Sequence, residues 1–318
     1  MSLNTFKHDI SSEISEILSS GFEINVIETN SVPKSNDPAI TFPNVENSKQ
    51  TCKLIETCVL YIDIRKSTEL NLSHRRATVA RLYSAFGRAM TRAARYYGGH
   101  VRGIIGDRVM VVFDTQDCFS KAIDTAVLMN SIAKHVINKH FKHNEVKCGI
   151  GIDHGKILIT KVGIIRRGHE AGNYQGLVWL GRPANVASKL TDAANKPAQT
   201  YWENCVRVGL HYPLTNGWSW RDQSFEQFVS DLTDVPLSNT LRHNDQYYSA
   251  HYCSKRVRTH SVATPPILMT KDVYLGFKRE RPTSDIITKK WLTKRAVHVA
   301  EYNGDIYGGD LVKTVFTK

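Results

Sequence analysis

Residues 98–113 read GGHVRGIIGDRVMVVF, and within them two short β-rich runs, His100 to Ile105 and Arg108 to Phe113, are parted by Gly106-Asp107 alone. Two residues of that kind between strands predict a tight antiparallel hairpin, because a type I′ turn needs positive φ, which Gly and Asp tolerate. The flanking patterns place this hairpin in a larger sheet. Thr57 to Ile62 reads as a buried strand, and Ser73 to Tyr97 carries Val79, Leu82, Tyr83, Phe86, Met90, Ala93 and Tyr97 at the spacing of a helix lying on a sheet. Gly98-Gly99 stops that helix. Asp117 to His140 predicts a second long helix, Val146 to Asp153 and Ile157 to Gly163 further strands, and Leu177 to Leu180 another. Pro183 sits in the first turn of a helix running through Ala194. The order β-α-β-β-α-β predicts an α+β fold, a ferredoxin-like plait with extra strands and a helix.

At 318 residues the chain is long enough for two domains of roughly 100 to 200 residues each. Residues 1–51 predict a short amphipathic helix (Ile10, Ile14, Ile17, Leu18) followed by an extended arm rich in Pro, Asn and Ser. Residues 52–215 hold the plait. Residues 216–318 predict a separate small α+β domain, with strands at Val273 to Phe277 and Ala296 to Tyr302. No apolar run approaches the roughly 18 residues that cross a bilayer, and the first residues lack an apolar signal core, so a cytoplasmic protein with no membrane partner is expected. Six scattered cysteines without a Cys-x-x-Cys pair predict reduced thiols. The net charge of +12 divides into +8 before residue 216 and +4 after it. A spread excess suits anionic ligands in general better than a nucleic-acid footprint, so no nucleic-acid partner is expected.

The chemistry concentrates at VLYIDIRKST, Val59 to Thr68, where an apolar strand ends on Asp63. An Asp there often caps the next helix. In a plait of this order, however, the first strand and the central hairpin are neighbours, so Asp63 and Asp107 meet at one edge. Two adjacent carboxylates repel unless a cation lies between them, and hard oxygens suit Mg²⁺ or Mn²⁺. Ile64 to Thr68 then enters a helix whose free backbone N–H groups are expected to face an anion. Arg65 and Lys66 supply charge there, and Ser67 and Thr68 supply donors to phosphate oxygens, which together make a triphosphate seat. In GRPANVASKL, Gly181 to Leu190, Asn185 and Lys189 are four apart and share a helix face. An amide for a sugar oxygen beside a cation for a charged phosphate suits phosphoryl transfer.

The segments VLYIDIRKST, GGHVRGIIGDRVMVVF and LVWLGRPANVASKL, in that order and spacing, resemble the catalytic domain of the class III nucleotidyl cyclases over roughly residues 52–200. The resemblance implies that Asp63 and Asp107 bind two divalent cations, Mn²⁺ or Mg²⁺, with Ile64 as a backbone ligand. It makes Asn185 the ribose-positioning asparagine and puts Lys189 where the family usually has a transition-state arginine. It also implies a head-to-tail homodimer with active sites at the interface. Lys keeps the charge of Arg but loses the two-pronged grip. The family's triphosphate-binding lysine has no assigned counterpart.

The purine pattern is broken at two places. Gly103 lies four residues before Asp107, where adenylate cyclases usually carry Lys, and Val178 lies seven before Asn185, where they carry Asp or Thr. A pocket reading adenine by paired polar groups does not keep its selectivity without both. Tyr61, where many cyclases have Phe, offers a ring to stack on a smaller base and one hydrogen bond to its edge. Arg102 adjoins Gly103, although strand alternation directs it away. This combination is similar to the bacterial pyrimidine cyclases of the Pycsar antiphage system, whose cyclic CMP or cyclic UMP acts on a separate effector and whose members carry a C-terminal sensor-like domain. The expectation is a pyrimidine cyclase, with CTP favoured over UTP. The alternatives are a purine cyclase using other base contacts and an inactive cyclase-like nucleotide sensor or RNA-binding module.

Overall fold

The computed structural model describes residues 2–162 and 176–317. The chain divides into two compact units, one formed by Met1–Lys196 with Thr264–Lys318 and the other by Pro197–Ala263.

The first unit is built on β2 (Lys49–Ile64), β3 (Gly99–Ile105), β4 (Arg108–Phe113) and β5 (Cys148–Lys161), in the order β5-β2-β4-β3. All three pairings are antiparallel, which is the arrangement of a ferredoxin-like plait. β1 (Glu23–Glu28) runs parallel to the first part of β2, and β6 (Leu177–Leu180) pairs with the end of β5. β2 is buried along most of its length because both faces are covered, so its sequence is an apolar run and not an alternation. On one face Leu60 and Ile62 pack against Leu82, Phe86 and Met90 of α3 (Arg76–Tyr96) and against Ile123 and Ala126 of α4 (Cys118–Ser131). A π-helical stretch, Ile132–Ile137, and a last turn α5 (Asn138–His140) prolong α4 over the expected span. Preceding α3 is the short α2 (Ser67–Ser73), and the chain opens with α1 (Leu3–Ile17).

The other face holds Val59, Met110, Val112, Ile157 and Ile159 against Ala184 and Ala187 of α6 (Arg182–Ala193). Here glycine is required. A Cβ on Gly151 would lie 2.2 Å from the Ala187 carbonyl oxygen, and one on Gly149 would lie 2.6 Å from that of Thr191. α6 therefore rests almost backbone to backbone on β5.

The second unit is a three-stranded antiparallel sheet in the order β11-β7-β8, made of β7 (Gln199–Tyr212), β8 (Gly217–Gln223) and β11 (Tyr248–Ser261). Val206, Val208 and Leu210 form its small core with Phe228 of α7 (Phe225–Ser230), and β9 (Leu232–Val235) pairs with β10 (Thr240–His243).

Several sequence expectations are corrected here. The boundary at 215/216 falls in the turn joining β7 to β8, so it divides a hairpin. Residues 264–318 are no separate domain: β12 (Ile267–Thr270) runs parallel to β5 and antiparallel to β14 (Ile306–Gly309), which pairs with β13 (Thr293–Arg295). Val273 to Phe277 lies inside a helix, α8 (Lys271–Glu280), with Val273 and Phe277 buried one turn apart. Asp272 in its first turn and Lys278 and Arg279 in its last complement the helix dipole. In Ala296 to Tyr302 the pairing is a single bridge, Val299 to Tyr302; α9 (Asp285–Thr288) precedes β13. The two strands expected over 146–163 are one strand, β5, and Gly163 lies outside the described residues.

Candidate active site

Asp63 is the last residue but one of β2, just past the Ile62–Val109 pair with β4, and Asp107 occupies the turn from β3 to β4. In that turn Gly106 has φ +61° while Asp107 stays out of the left-handed region, which fits a type II′ turn and not the expected I′. The two carboxylates meet: the Ile64 N–H donates to Asp107 Oδ2 at 3.1 Å, and burial first, then the neighbouring Asp63, push the Asp107 carboxyl up to about 6. Among the described residues no third His, Cys, Asp or Glu joins them to complete a metal-ligating cluster. Two carboxylates and a backbone carbonyl fit a site for Mg²⁺ or Mn²⁺, ions that take few protein oxygens and complete their shells with water and substrate phosphates. The half-buried, mutually repelling pair is the feature that a divalent charge offsets.

Arg108, the residue after Asp107, is a member of the site that the sequence reading passed over. Its guanidinium donates to Asp63 Oδ2 through Nη2 at 2.7 Å and Nε at 3.2 Å, to Ser188 Oγ at 2.8 Å, and to the Asp192 carboxylate. It thereby ties the edge of the sheet to α6. The available signal was its place: a cation opening a strand whose next five residues are all apolar and buried.

The phosphate turn differs from expectation in detail. The amides of Ile64 and Arg65 are engaged within the protein, Ile64 with Asp107 and Arg65 with the Lys147 carbonyl at 2.7 Å. Arg65 folds inward, 3.6 Å from Asp63 Oδ2 and bonded to the Asp192 carbonyl at 3.1 Å. Lys66, at φ +58°, pairs at the surface with Glu69. Ser67 is half-buried and Thr68 exposed, at the start of α2.

Tyr61 lies on the same face of β2 as Asp63. It is half-buried against Met110; burial pushes its phenol up, and the nearby Arg108 charge pulls the other way. Gly103 pairs with Met110, so it faces the same side, and a Cβ there would have Met110 as its nearest neighbour at 3.8 Å. The strand slips register between Val101 and Gly103, which makes Arg102 the extra residue of a bulge. Val178 opposes Thr160 and alternates with Leu177 and Trp179, which like Tyr61 pack against the core on the Val59 and Met110 face, so it is turned away from that face. On α6, Ser188 and Asp192 reach toward Asp63 through Arg108, whereas Asn185 is exposed and Lys189 pairs with Glu301 at 2.7 Å. The structure thus joins Asp63, Ile64, Asp107, Tyr61, Arg65 and Gly103 at one edge, and leaves Asn185, Lys189 and Val178 directed elsewhere in the same chain.

Known proteins similar to this chain are nucleotide cyclases. The adenylate and guanylate cyclase catalytic domain matches residues 49–201. A uridylate cyclase of Burkholderia cepacia is 31% identical over 196 residues, which is 60% of this chain and 79% of that protein. The chain belongs to the class III nucleotidyl cyclase family, and its first unit is a nucleotidyl cyclase domain. Among its relatives are a uridylate cyclase of Propioniciclava tarda, 23% identical over 69% of each chain, and a cytidylate cyclase of Staphylococcus aureus, 30% identical over 39% of this chain and 32% of that one. Among solved structures, the adenylyl cyclase CyaB from P. aeruginosa aligns with TM-score 0.48 at 16% identity, over 80% of this chain and 94% of that one.

Proposed function

We propose that this chain is a pyrimidine nucleotide cyclase, converting UTP or CTP to the 3′,5′-cyclic monophosphate and pyrophosphate. The observation that carries the base assignment is the face beside Asp63: Gly103 presents no side chain where a purine-reading lysine would reach, and Tyr61 and Arg108 stand next to it. The names of its relatives, mostly uridylate cyclases, give UTP more weight than the CTP expected from sequence. Two divalent cations held by Asp63, Asp107 and Ile64 would make the ribose 3′-hydroxyl more acidic and steady the leaving pyrophosphate. Asn185 aligns the ribose for in-line attack, and Lys189 meets charge on the α-phosphate. Asn185 is exposed and Lys189 pairs with Glu301 in its own chain; by the family resemblance the active site forms in a homodimer, with the aspartates from one protomer and α6 from its partner. By its resemblance to the Pycsar cyclases, the product acts on a separate cyclic-nucleotide-binding effector in antiphage defence.

The test is complementation. Asp63→Asn and Lys189→Ala are each expected to be inactive on UTP and CTP with Mn²⁺. An equimolar mixture should recover about a quarter of wild-type activity, because half the dimers then hold one intact site of two. Failure of the mixture to recover activity, with dimers exchanging normally, would overturn the shared site. Retained activity of Asp63→Asn would overturn the metal assignment.

A further inference from the structure

Lys189 of α6 does not stand free, because its Nζ lies 2.7 Å from a carboxylate oxygen of Glu301. Glu301 lies outside residues 49–201, the span that matches the cyclase catalytic domain. It sits in a turn from Val299 to Tyr302, closed by the Tyr302 N–H donating to the Val299 carbonyl at 3.2 Å. At the third position of that turn Glu301 has φ +69°, a left-handed conformation that a type II turn normally gives to glycine. A glutamate there carries strain that glycine does not, and strain of this kind collects at functional sites.

The turn is fixed on α6. Val299 and Tyr302 are buried and pack with Val186 and Leu190, which flank Lys189 along the helix. The Tyr302 hydroxyl accepts from the Lys271 N–H at 3.0 Å and donates to the Asp305 carbonyl at 3.2 Å, so the turn is also tied to the start of α8. A buried frame thus holds the carboxylate beside the ammonium, while the pair itself is at the surface, with the Lys189 side chain 33% and the Glu301 side chain 66% exposed. An ion pair so exposed contributes little to stability. What the strained turn supplies is direction.

Direction is what a lysine lacks. Its ammonium is a point charge on a flexible four-carbon stem, whereas the planar fork of an arginine is already organised to grip two oxygens. A cation assists phosphoryl transfer only when it is held where charge develops. We propose that Glu301 is a positioning residue for Lys189, fixing its stem so that the open side of the ammonium is presented to the α-phosphate. The pair then has the fixed direction that an arginine obtains from its own fork. This role rests on Lys189 being the group that meets the α-phosphate.

The test measures cyclisation of UTP and CTP with Mn²⁺ by the full chain, together with thermal unfolding. Glu301→Gln and Glu301→Gly are each expected to lower kcat about tenfold while KM changes less than about twofold, the pattern of an interaction made only in the transition state. Neither should melt below wild type, and Glu301→Gly also relieves the left-handed strain. In a Lys189→Arg background the same two substitutions should change kcat less than about twofold. Wild-type or higher kcat in the Glu301 variants, a loss of kcat accompanied by a lower melting temperature in both, or equal losses in the Lys189 and Lys189→Arg backgrounds would each overturn the proposal. Lys189→Ala is measured beside them. If it keeps full activity, the role of Lys189 itself fails; if it is inactive while the Glu301 variants turn over normally, only the positioning role fails.

Discussion

Asp107 is half-buried, and burial first and the neighbouring Asp63 carboxylate second hold its proton up to about 6 instead of 3.8. Between about pH 4 and 6 the folded chain therefore binds more protons than the unfolded one, and stability falls as pH rises through that window. In chelator-treated protein the melting temperature should decline across this range, and Asp107→Asn, which has no proton to lose, should flatten the decline. An unchanged slope in the variant would assign it to other groups. The same residue shows what could be read from sequence. Asp63 and Asp107 are 44 positions apart, but strand order alone placed them together, since register within a plait is fixed by a short turn. Arg108 and Arg65 could not be read this way. Each is a long cation whose direction depends on which partners the tertiary fold brings near, here Asp63 and Asp192.

Helix α6 owes its position to what β5 lacks. With the Gly151 Cβ site 2.2 Å from the Ala187 carbonyl oxygen, Gly151→Ala must lift the helix that carries Asn185 and Lys189. It should cost on the order of 1–3 kcal/mol by overpacking, measurable by denaturant unfolding, and should lower turnover as well. Gly103→Ala is the control: its nearest neighbour at 3.8 Å leaves room, and a change within about 0.5 kcal/mol is expected. Equal stability losses in the two variants would contradict close contact of α6 with the sheet. At this scale the sequence was legible where periodicity was strong, as in α3 and α6. It misled at Val273 to Phe277, where a five-residue apolar window suits either a strand or one helical turn; the charges at the ends of α8 were the better guide.

The order of the whole molecule was the least legible, because no local signal tells a chain to leave a sheet and return to it. Residues 197–263 form a unit of their own, and residues 264–318 rejoin the first, where every residue of β12 is buried. The two ends of the inserted unit meet: the Thr264 N–H donates to the Lys196 carbonyl at 2.9 Å. Replacing 197–263 by a short Gly-Ser turn should therefore leave the first unit folded and cooperative in thermal unfolding. A chain ending at residue 263 should be insoluble or molten, since it strips β5 of its parallel neighbour. A well-folded product from the second truncation would contradict this division.

The central claim, that the site cyclises a pyrimidine triphosphate, is tested most directly by competition. Purified protein is given ATP, GTP, CTP and UTP together at equal concentration with Mn²⁺, and the cyclic products are quantified in one chromatogram, so that their ratio reads the relative kcat/KM values. The account predicts that cyclic UMP and cyclic CMP together exceed the cyclic purines at least about tenfold, with cyclic UMP the larger. Predominance of cyclic AMP or cyclic GMP would contradict it.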